Sequence, residues 1–193
     1  MKNIAVFVSG GGTDMQSVID AVKDGKINGK VTLVVSNKNG VYALERAKKE
    51  NIESKVFTVK EYGSIEKRDE AILEKLLEKN IDLVVLAGYL SIVSPVIIDK
   101  YRDRIINIHP SLIPKYCGMG FYGLRVHEAV INGKETESGC TVHYVDEGAD
   151  TGKIIKQVKV PVLENDTPET LQERVLEQEH ILLPEIVAKL CKE

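Results

Sequence analysis

Short apolar runs alternate with longer amphipathic segments through the first half of the chain. The runs that predict buried strands cover residues 4–9, 31–36, 55–59, 83–87 and 104–108. Between them, apolar residues recur every three or four positions, which predicts helices starting near residue 15, over 43–50 and 66–79, and just after Pro95. Strands that alternate with helices are typical of a parallel sheet covered by helices.

The pattern changes after residue 108. A stretch containing glycine and proline covers residues 110–122, and a helix is predicted over 124–132. Two further strands are predicted over 140–145 and 153–160, and Thr167-Pro168 is a typical start for a final helix. We therefore expect one domain over residues 1–193 with a Rossmann-like three-layer α/β fold, in which antiparallel strands extend a mainly parallel sheet.

The charge balance disfavours nucleic acid as a partner. The chain has 29 acidic and 26 basic residues, a formal net charge of −3, so it lacks the positive surplus that non-specific binding to phosphate backbones requires. Small-molecule substrates fit this composition better. The oligomeric state stays open.

Nothing in the chain predicts export or membrane insertion. The N-terminus runs directly into an apolar strand without a signal-peptide pattern, and no apolar run approaches the length of a membrane span. Three widely spaced cysteines suit reduced thiols better than a disulfide framework or a zinc cluster. We expect a cytoplasmic location and no membrane partner.

A glycine-rich turn, Ser9-Gly-Gly-Gly-Thr-Asp14, lies between the first strand and the first helix. Its backbone N–H groups and the positive end of the helix can hold a phosphate group. The turn is not a dinucleotide fingerprint, because Met15 occupies the position of the third glycine when counted from Gly10. A phosphomonoester is the ligand that it predicts, and a purely structural turn is the alternative.

Two polar residues alternate with apolar ones at the end of the fifth strand. Asn107 and His109 therefore share one face at the carboxyl edge of the sheet, where open α/β sheets bind ligands. An amide can donate to a developing oxyanion, and an imidazole can transfer protons near neutral pH. A buried structural pair is the alternative interpretation.

An acidic loop follows the strand that contains Cys140. Asp150, within this loop, could reach the imidazole of His109, orient it and favour its protonated form. We interpret His143 as structural because it lies inside the strand. Asp146 and Glu147 are also compatible with solvated turn residues.

Five blocks of the sequence resemble those of the phosphoribosylglycinamide formyltransferases, a family of folate-dependent formyltransferases. They are the glycine-rich turn followed by Gln16, residues 86–93, residues 107–114, residues 139–152 and Glu179-His180. The blocks occur in the family's order and span nearly the whole chain. The Asn-x-His-Pro-Ser-Leu and Gly-Cys-Thr-Val-His patterns are specific to folate formyl-transfer domains.

The resemblance implies transfer of a formyl group from 10-formyltetrahydrofolate to the amine of phosphoribosylglycinamide, a step of purine biosynthesis, with the folate as co-substrate and no metal. It implies that the catalytic residues are Asn107, His109 and Asp150. The implied contacts to phosphoribosylglycinamide are Gly11, Gly12, Thr13 and Asp14 at the phosphate and Glu179 at the ribose. The implied folate contacts are Leu90, Ser91, Ile92, Val93, Asn107, Asp146 and Asp150.

The chain departs from this family at three positions. Asp14 stands where asparagine is usual, Ser91 replaces a common arginine, and Leu176 lies near an expected polar contact. An extra anion beside a phosphate is unfavourable unless it points away. We expect Arg68 to replace one lost basic contact.

Three other functions compete with this interpretation. Methionyl-tRNA formyltransferases share the catalytic block but carry an additional tRNA-binding domain, for which this acidic chain has no room. Formyltetrahydrofolate hydrolases usually carry an N-terminal regulatory domain, whereas here the first strand begins at residue 4. A non-catalytic binder of a phosphorylated metabolite would leave Asn107, His109 and Asp150 unexplained.

Overall fold

A computed structural model describes residues 1–192 and contains a single seven-stranded sheet. Its strands are β1 (Lys2–Val8), β2 (Gly29–Ser36), β3 (Ser54–Val56), β4 (Leu83–Leu86), β5 (Ile105–His109), β6 (Glu137–Tyr144) and β7 (Ile154–Pro161). The strand order is β3-β2-β1-β4-β5-β6-β7. Pairing is parallel from β3 to β5 and antiparallel at β5–β6 and β6–β7, which confirms the predicted sheet.

The helices of the fold lie between and after these strands. They are α1 (Thr13–Lys23), α2 (Tyr42–Lys49), α3 (Val59–Tyr62), α4 (Ile65–Glu78), α5 (Pro95–Lys100), α6 (Leu124–Asn132) and α7 (Pro168–Leu190). The short helix α3 was not predicted, and the strand predicted over 55–59 was too long. The Thr58 hydroxyl accepts a hydrogen bond from the Glu61 backbone N–H at 3.1 Å, so a helix cap begins where the strand was expected to continue.

Apolar clusters cover both faces of the sheet and make three layers. Along β1, Val6 belongs to the cluster that contains α1 and α7, whereas Phe7 belongs to the cluster that contains α4 and α5. Side chains alternate between faces, so a strand buried on both faces needs a continuous apolar run. This requirement explains why the central strands lack alternating polar positions.

The chain changes direction across the sheet at β1. β2 and β3 extend on one side of β1, and β4 and β5 extend on the other. A crevice at the carboxyl edge of such a switch point is the usual ligand site of an open α/β sheet. Ser9 joins its two sides here, since its Oγ accepts from Leu90 N at 2.7 Å and donates to Asn37 Oδ1 at 2.6 Å. Among residues 1–192, no helix combines the length and apolarity that crossing a membrane requires.

Candidate active site

Three sequence-predicted residues meet at the carboxyl edge of β5. Asn107 and His109 lie on this strand, and antiparallel pairing places His143 of β6 opposite Asn107. Asp150 reaches the same point from the loop between β6 and β7, where its backbone adopts a left-handed φ of 58°. The structure therefore brings the predicted group together and adds His143 to it.

The Asn107 amide nitrogen has two acceptors. It lies 3.2 Å from His143 Nε2 and 3.4 Å from Asp150 Oδ1. His143 Nδ1 lies 2.7 Å from the Tyr144 carbonyl, which can only accept, so Nδ1 carries the hydrogen and Nε2 is free to accept from Asn107. His143 thus orients the Asn107 amide, a contact that our structural interpretation of His143 did not include. The contact between His143 and Asn107 results from the register of two antiparallel strands, which a single sequence does not specify.

His109 is buried, with 5% of its surface exposed. Its Nε2 lies 2.9 Å from the Tyr116 carbonyl and therefore carries a hydrogen, while Nδ1 lies 3.6 Å from Asp150 Oδ2. Burial lowers the pKa of His109, and the nearby Asp150 carboxylate opposes this effect without reversing it. Asp150 thus favours the protonated form of His109 in the predicted direction, but desolvation of the imidazolium is the larger effect and the net pKa shift is downward.

Asp150 is ionised despite its partial burial. Burial favours the neutral acid, but His143, His109 and the Gly118 backbone N–H together hold the pKa of this carboxyl below its usual value. Gly118 N donates to Asp150 Oδ2 at 2.8 Å. The same carboxylate thus connects the catalytic strand to the loop over residues 110–122.

The glycine-rich turn lies at the start of α1. Gly12 caps the helix with a left-handed φ of 74°, and a Cβ at this position would lie 2.7 Å from Ala43 Cβ. Around Gly11 the space is open, since a Cβ added there would meet no heavy atom within 4 Å. Arg46 of α2 supports the turn, since its Nε donates to the Gly11 carbonyl at 2.8 Å. This basic side chain beside the predicted phosphate site was missed, because a lone arginine in an amphipathic helix carries no sequence signal.

Asp14 and Glu179 form a buried acidic cluster beside this turn. Burial raises the pKa of Asp14 to about 7, and burial together with the charge of Asp14 raises the pKa of Glu179 well above its usual value. His180 Nε2 lies 3.6 Å from Asp14 Oδ1, beyond hydrogen-bond distance. A groove of about 650 Å³ between α1 and α7 opens next to the cluster, with Thr13 and Arg46 in its wall.

The predicted folate segment follows β4. Leu90 and Ile92 are exposed by 48% and 56%, whereas Val93 is buried, so two of the three apolar side chains are available to a ligand. Arg68 does not reach this surface. Its guanidinium is fully buried and donates to Ser91 Oγ at 2.6 Å and to the Ile92 carbonyl at 2.7 Å. The expectation that Arg68 replaces a lost basic ligand contact is therefore wrong, because the side chain is enclosed behind the segment.

The remaining predicted folate contact, Asp146, shapes its own loop. Its Oδ1 accepts from Gly148 N at 3.1 Å and from Thr151 Oγ1 at 2.6 Å. Leu176 is half-buried on α7. Residues 1–192 contain no group of three or more His, Cys, Asp or Glu side chains arranged to hold a metal ion.

At the carboxyl edge of this open α/β sheet, an amide can stabilise an oxyanion, and an imidazole beside a carboxylate can move a proton, which is the chemistry of a group-transfer enzyme. The chain belongs to the formyl transferase family, whose model, described as "Formyl transferase", matches residues 2–187. It is 41% identical over 187 residues to the phosphoribosylglycinamide formyltransferase of Haemophilus influenzae, covering 97% of this chain and 86% of that protein. It is 38% identical to the Escherichia coli enzyme of the same name, covering 96% and 85%.

Solved structures agree with this assignment. The crystal structure of phosphoribosylglycinamide formyltransferase from Bacillus halodurans superposes with a TM-score of 0.93 at 39% identity, covering 100% of this chain and 96% of that one. The chain also spans 13% and 14% of the trifunctional purine biosynthetic proteins adenosine-3 of Chironomus tentans and Drosophila pseudoobscura pseudoobscura, and 66% of the chloroplastic Arabidopsis thaliana relative.

Proposed function

We propose that the protein transfers the formyl group of 10-formyltetrahydrofolate to the amine of phosphoribosylglycinamide. The observation that carries this proposal is the meeting of Asn107, His109 and Asp150 at the carboxyl edge of β5. The glycine-rich turn follows β1, and the exposed Leu90 and Ile92 follow β4, the strand between β1 and β5. The names of the bacterial relatives agree with phosphoribosylglycinamide as the acceptor of a formyl group.

The reaction joins the amine nitrogen to the formyl carbon and then breaks the bond between that carbon and N10 of the folate. Negative charge develops on the formyl oxygen, one proton leaves the amine, and one proton reaches N10. We assign the proton transfer to His109, because burial leaves its imidazole neutral at rest and able to accept. The Asp150 carboxylate, 3.6 Å from His109 Nδ1, stabilises the cation that this transfer creates.

We assign Asn107 as a hydrogen-bond donor to the oxyanion. Its two amide hydrogens are held by His143 and Asp150 at 3.2 and 3.4 Å, distances typical of weak bonds that an oxyanion can replace. The amide is thus oriented before the substrate arrives. Such preorganisation avoids the cost of rearranging donors during the reaction.

We assign the phosphate of phosphoribosylglycinamide to the turn formed by Gly11, Gly12, Thr13 and Asp14, and its ribose to Glu179. The N-terminus of α1 and the cation of Arg46 favour an anion there. We assign the folate to residues 90–93 together with Asn107, Asp146 and Asp150. The cysteines of residues 1–192 are free, which agrees with the predicted cytoplasmic location.

Incubation of the purified protein with both substrates tests the proposal. We expect the formylated product and tetrahydrofolate to appear in equal amounts and only when phosphoribosylglycinamide is present. Release of formate at the same rate without the amine would identify a hydrolase. Binding of phosphoribosylglycinamide without any folate turnover would identify a non-catalytic binder.

A further inference from the structure

Helices α1 and α7 pack against each other, and each holds a largely buried carboxyl group without a lysine or arginine partner among residues 1–192. The Glu179 side chain is 6% exposed, and the Asp14 side chain is 15% exposed. Asp14 Oδ1 is buried and has no hydrogen-bond partner. Among residues 1–192, no lysine or arginine forms an ion pair with either carboxyl.

The other titratable groups around the pair do not neutralise two negative charges. On α7, burial and the charge of Arg46 lower the pKa of His180, and its Nε2 is unpartnered. On β6, burial raises the pKa of the Cys140 thiol to about 12, so it stays neutral. On α2, Arg46 donates its Nε to the Gly11 carbonyl. Two like charges in a site of low polarity cannot both ionise readily, so one of the pair holds a proton.

We propose that Asp14 and Glu179 form a proton-holding pair that couples phosphate binding at the neighbouring turn to proton uptake. This inference rests on the proposed phosphate site. Asp14 lies in the first turn of α1 and is itself one of the residues assigned to the phosphate. An arriving dianion disfavours a third negative charge, so the pair retains or gains a proton when the ligand binds. A protonated Asp14 also offers an O–H donor that a carboxylate lacks.

The sign of the resulting pH dependence follows from the raised pKa of Asp14. Below pH 7 the side chain is neutral and compatible with the ligand, and above pH 7 it becomes an anion beside it. Phosphate affinity should therefore fall as the pH rises from 6.5 to 8.5. A phosphomonoester loses its second proton near pH 6 and contributes little change over this range.

Calorimetric titration with phosphoribosylglycinamide tests the coupling in the wild type, Asp14→Asn and a control, Asp20→Asn. Asp20 lies on the same helix and is exposed, so its substitution removes the same charge without touching the pair. We expect the affinity of the wild type relative to Asp14→Asn to fall about sixfold between pH 6.5 and 8.5, which corresponds to a pKa of Asp14 about one unit higher in the complex. Titrations at pH 7.5 in buffers of different ionisation enthalpy should show net proton uptake for the wild type and Asp20→Asn, and less for Asp14→Asn.

Carboxyl ¹³C NMR of the ligand-free protein separates this inference from the proposed function. The Asp14 signal, assigned with Asp14→Asn, should titrate near pH 7, and the Glu179 signal should titrate above its usual range and move to lower pH in Asp14→Asn. Titration of Asp14 near pH 4, or equal proton uptake by wild type and Asp14→Asn, would overturn the coupling. Absence of phosphoribosylglycinamide binding together with a titration near pH 7 would contradict the substrate assignment and leave the proton-holding pair intact.

Discussion

Asp150 is the residue on which most contacts of the candidate active site converge. Its carboxylate lies within 3.6 Å of polar atoms of Asn107, His109, His143 and Gly118. Its left-handed backbone, φ 58°, is one that aspartate and asparagine tolerate better than most residues. Asp150→Asn therefore removes the charge while preserving the loop.

The Asp150→Asn variant should lose about 10²-fold or more in kcat, with smaller changes in KM, because the lost charge supports the cation formed in the transition state. Asp150 raises the pKa of His109 against the larger effect of burial, so its removal should lower that pKa further. The pH below which kcat falls, because the imidazole is already protonated and cannot accept a proton, should then move down. Two measurements check this prediction: the NMR titration of His109 in both proteins, and a double-mutant cycle on kcat that combines Asp150→Asn with His109→Ala. Additive losses in kcat together with an unchanged His109 pKa would show that Asp150 only orders its loop.

His143 should act through the orientation of Asn107. His143→Leu removes the acceptor that lies 3.2 Å from the Asn107 amide nitrogen. We expect kcat to fall about tenfold, because one hydrogen bond contributes about 1 kcal/mol and the Asn107 amide is no longer held in its orientation. His143→Gln, which retains an acceptor, should recover part of the rate. Equal losses in both variants, or a loss confined to stability in thermal unfolding, would contradict this role.

The buried Arg68 links helix α4 to the segment that follows β4. It pairs with Asp69 at 2.7 Å, and Asp69 Oδ2 in turn accepts from Ser94 N at 2.6 Å. Together with its bonds to Ser91 and Ile92, the guanidinium holds residues 91–94 from behind. The geometry of the proposed folate surface therefore depends on helix α4, which lies behind that surface.

Arg68→Met should destabilise the protein by about 3–5 kcal/mol, because it leaves the Asp69 carboxylate buried and unpaired. Ser91→Ala, a milder change, should keep the fold and raise KM for formylfolate without altering KM for phosphoribosylglycinamide. Arg102→Met is the matched control, since Arg102 and Asp99 form a pair in which both side chains are 62% exposed. Denaturant unfolding and initial-rate kinetics measure these effects, and equal destabilisation by the control would refute the proposed linkage.

Gly11 and Gly12, in the turn before α1, differ in the space available for a side chain. Gly12→Ala places a Cβ 2.7 Å from Ala43 Cβ at a φ of 74°, so it should destabilise the fold by about 1–3 kcal/mol. Gly11→Ala meets no atom within 4 Å and should leave the unfolding midpoint nearly unchanged. If the turn binds phosphate, Gly11→Ala should nevertheless raise KM for phosphoribosylglycinamide more than KM for the folate. Equal changes in both KM values would argue against a phosphate site here.

The stability of the entire domain should respond to the buried carboxyl pair even without ligand. The pKa of Asp14 rises from 3.8 to about 7 on folding. The contribution of Asp14 to the free energy of unfolding is therefore fully present below pH 4 and is lost as the pH rises through 7. A difference of one pKa unit between the folded and unfolded states corresponds to about 1.4 kcal/mol. Asp14→Asn should therefore gain stability over the wild type as the pH rises from 4 to 7 in denaturant unfolding, whereas Asp20→Asn should not. A constant difference across this range would show that Asp14 ionises normally in the folded state.

Much of the architecture was predictable because it depends on local patterns. Continuous apolar runs predicted the central strands, and Thr167-Pro168 predicted the start of α7, which begins at Pro168. Alternation along one strand placed Asn107 and His109 on the same face. Each of these features follows from the period of a strand or from the chemistry of a helix cap, and both are properties of neighbouring residues.

Contacts between distant segments were not predictable in the same way. The pairing of Asn107 with His143 depends on the register of two antiparallel strands, and the burial of Arg68 depends on how α4 packs behind residues 91–94. The raised pKa of Asp14 requires a helix that begins more than 150 positions later in the chain. The residues alone thus established the order of elements and the chemical groups available at the site. Folding established their protonation and mutual orientation, because desolvation and strand register arise only when remote segments pack together.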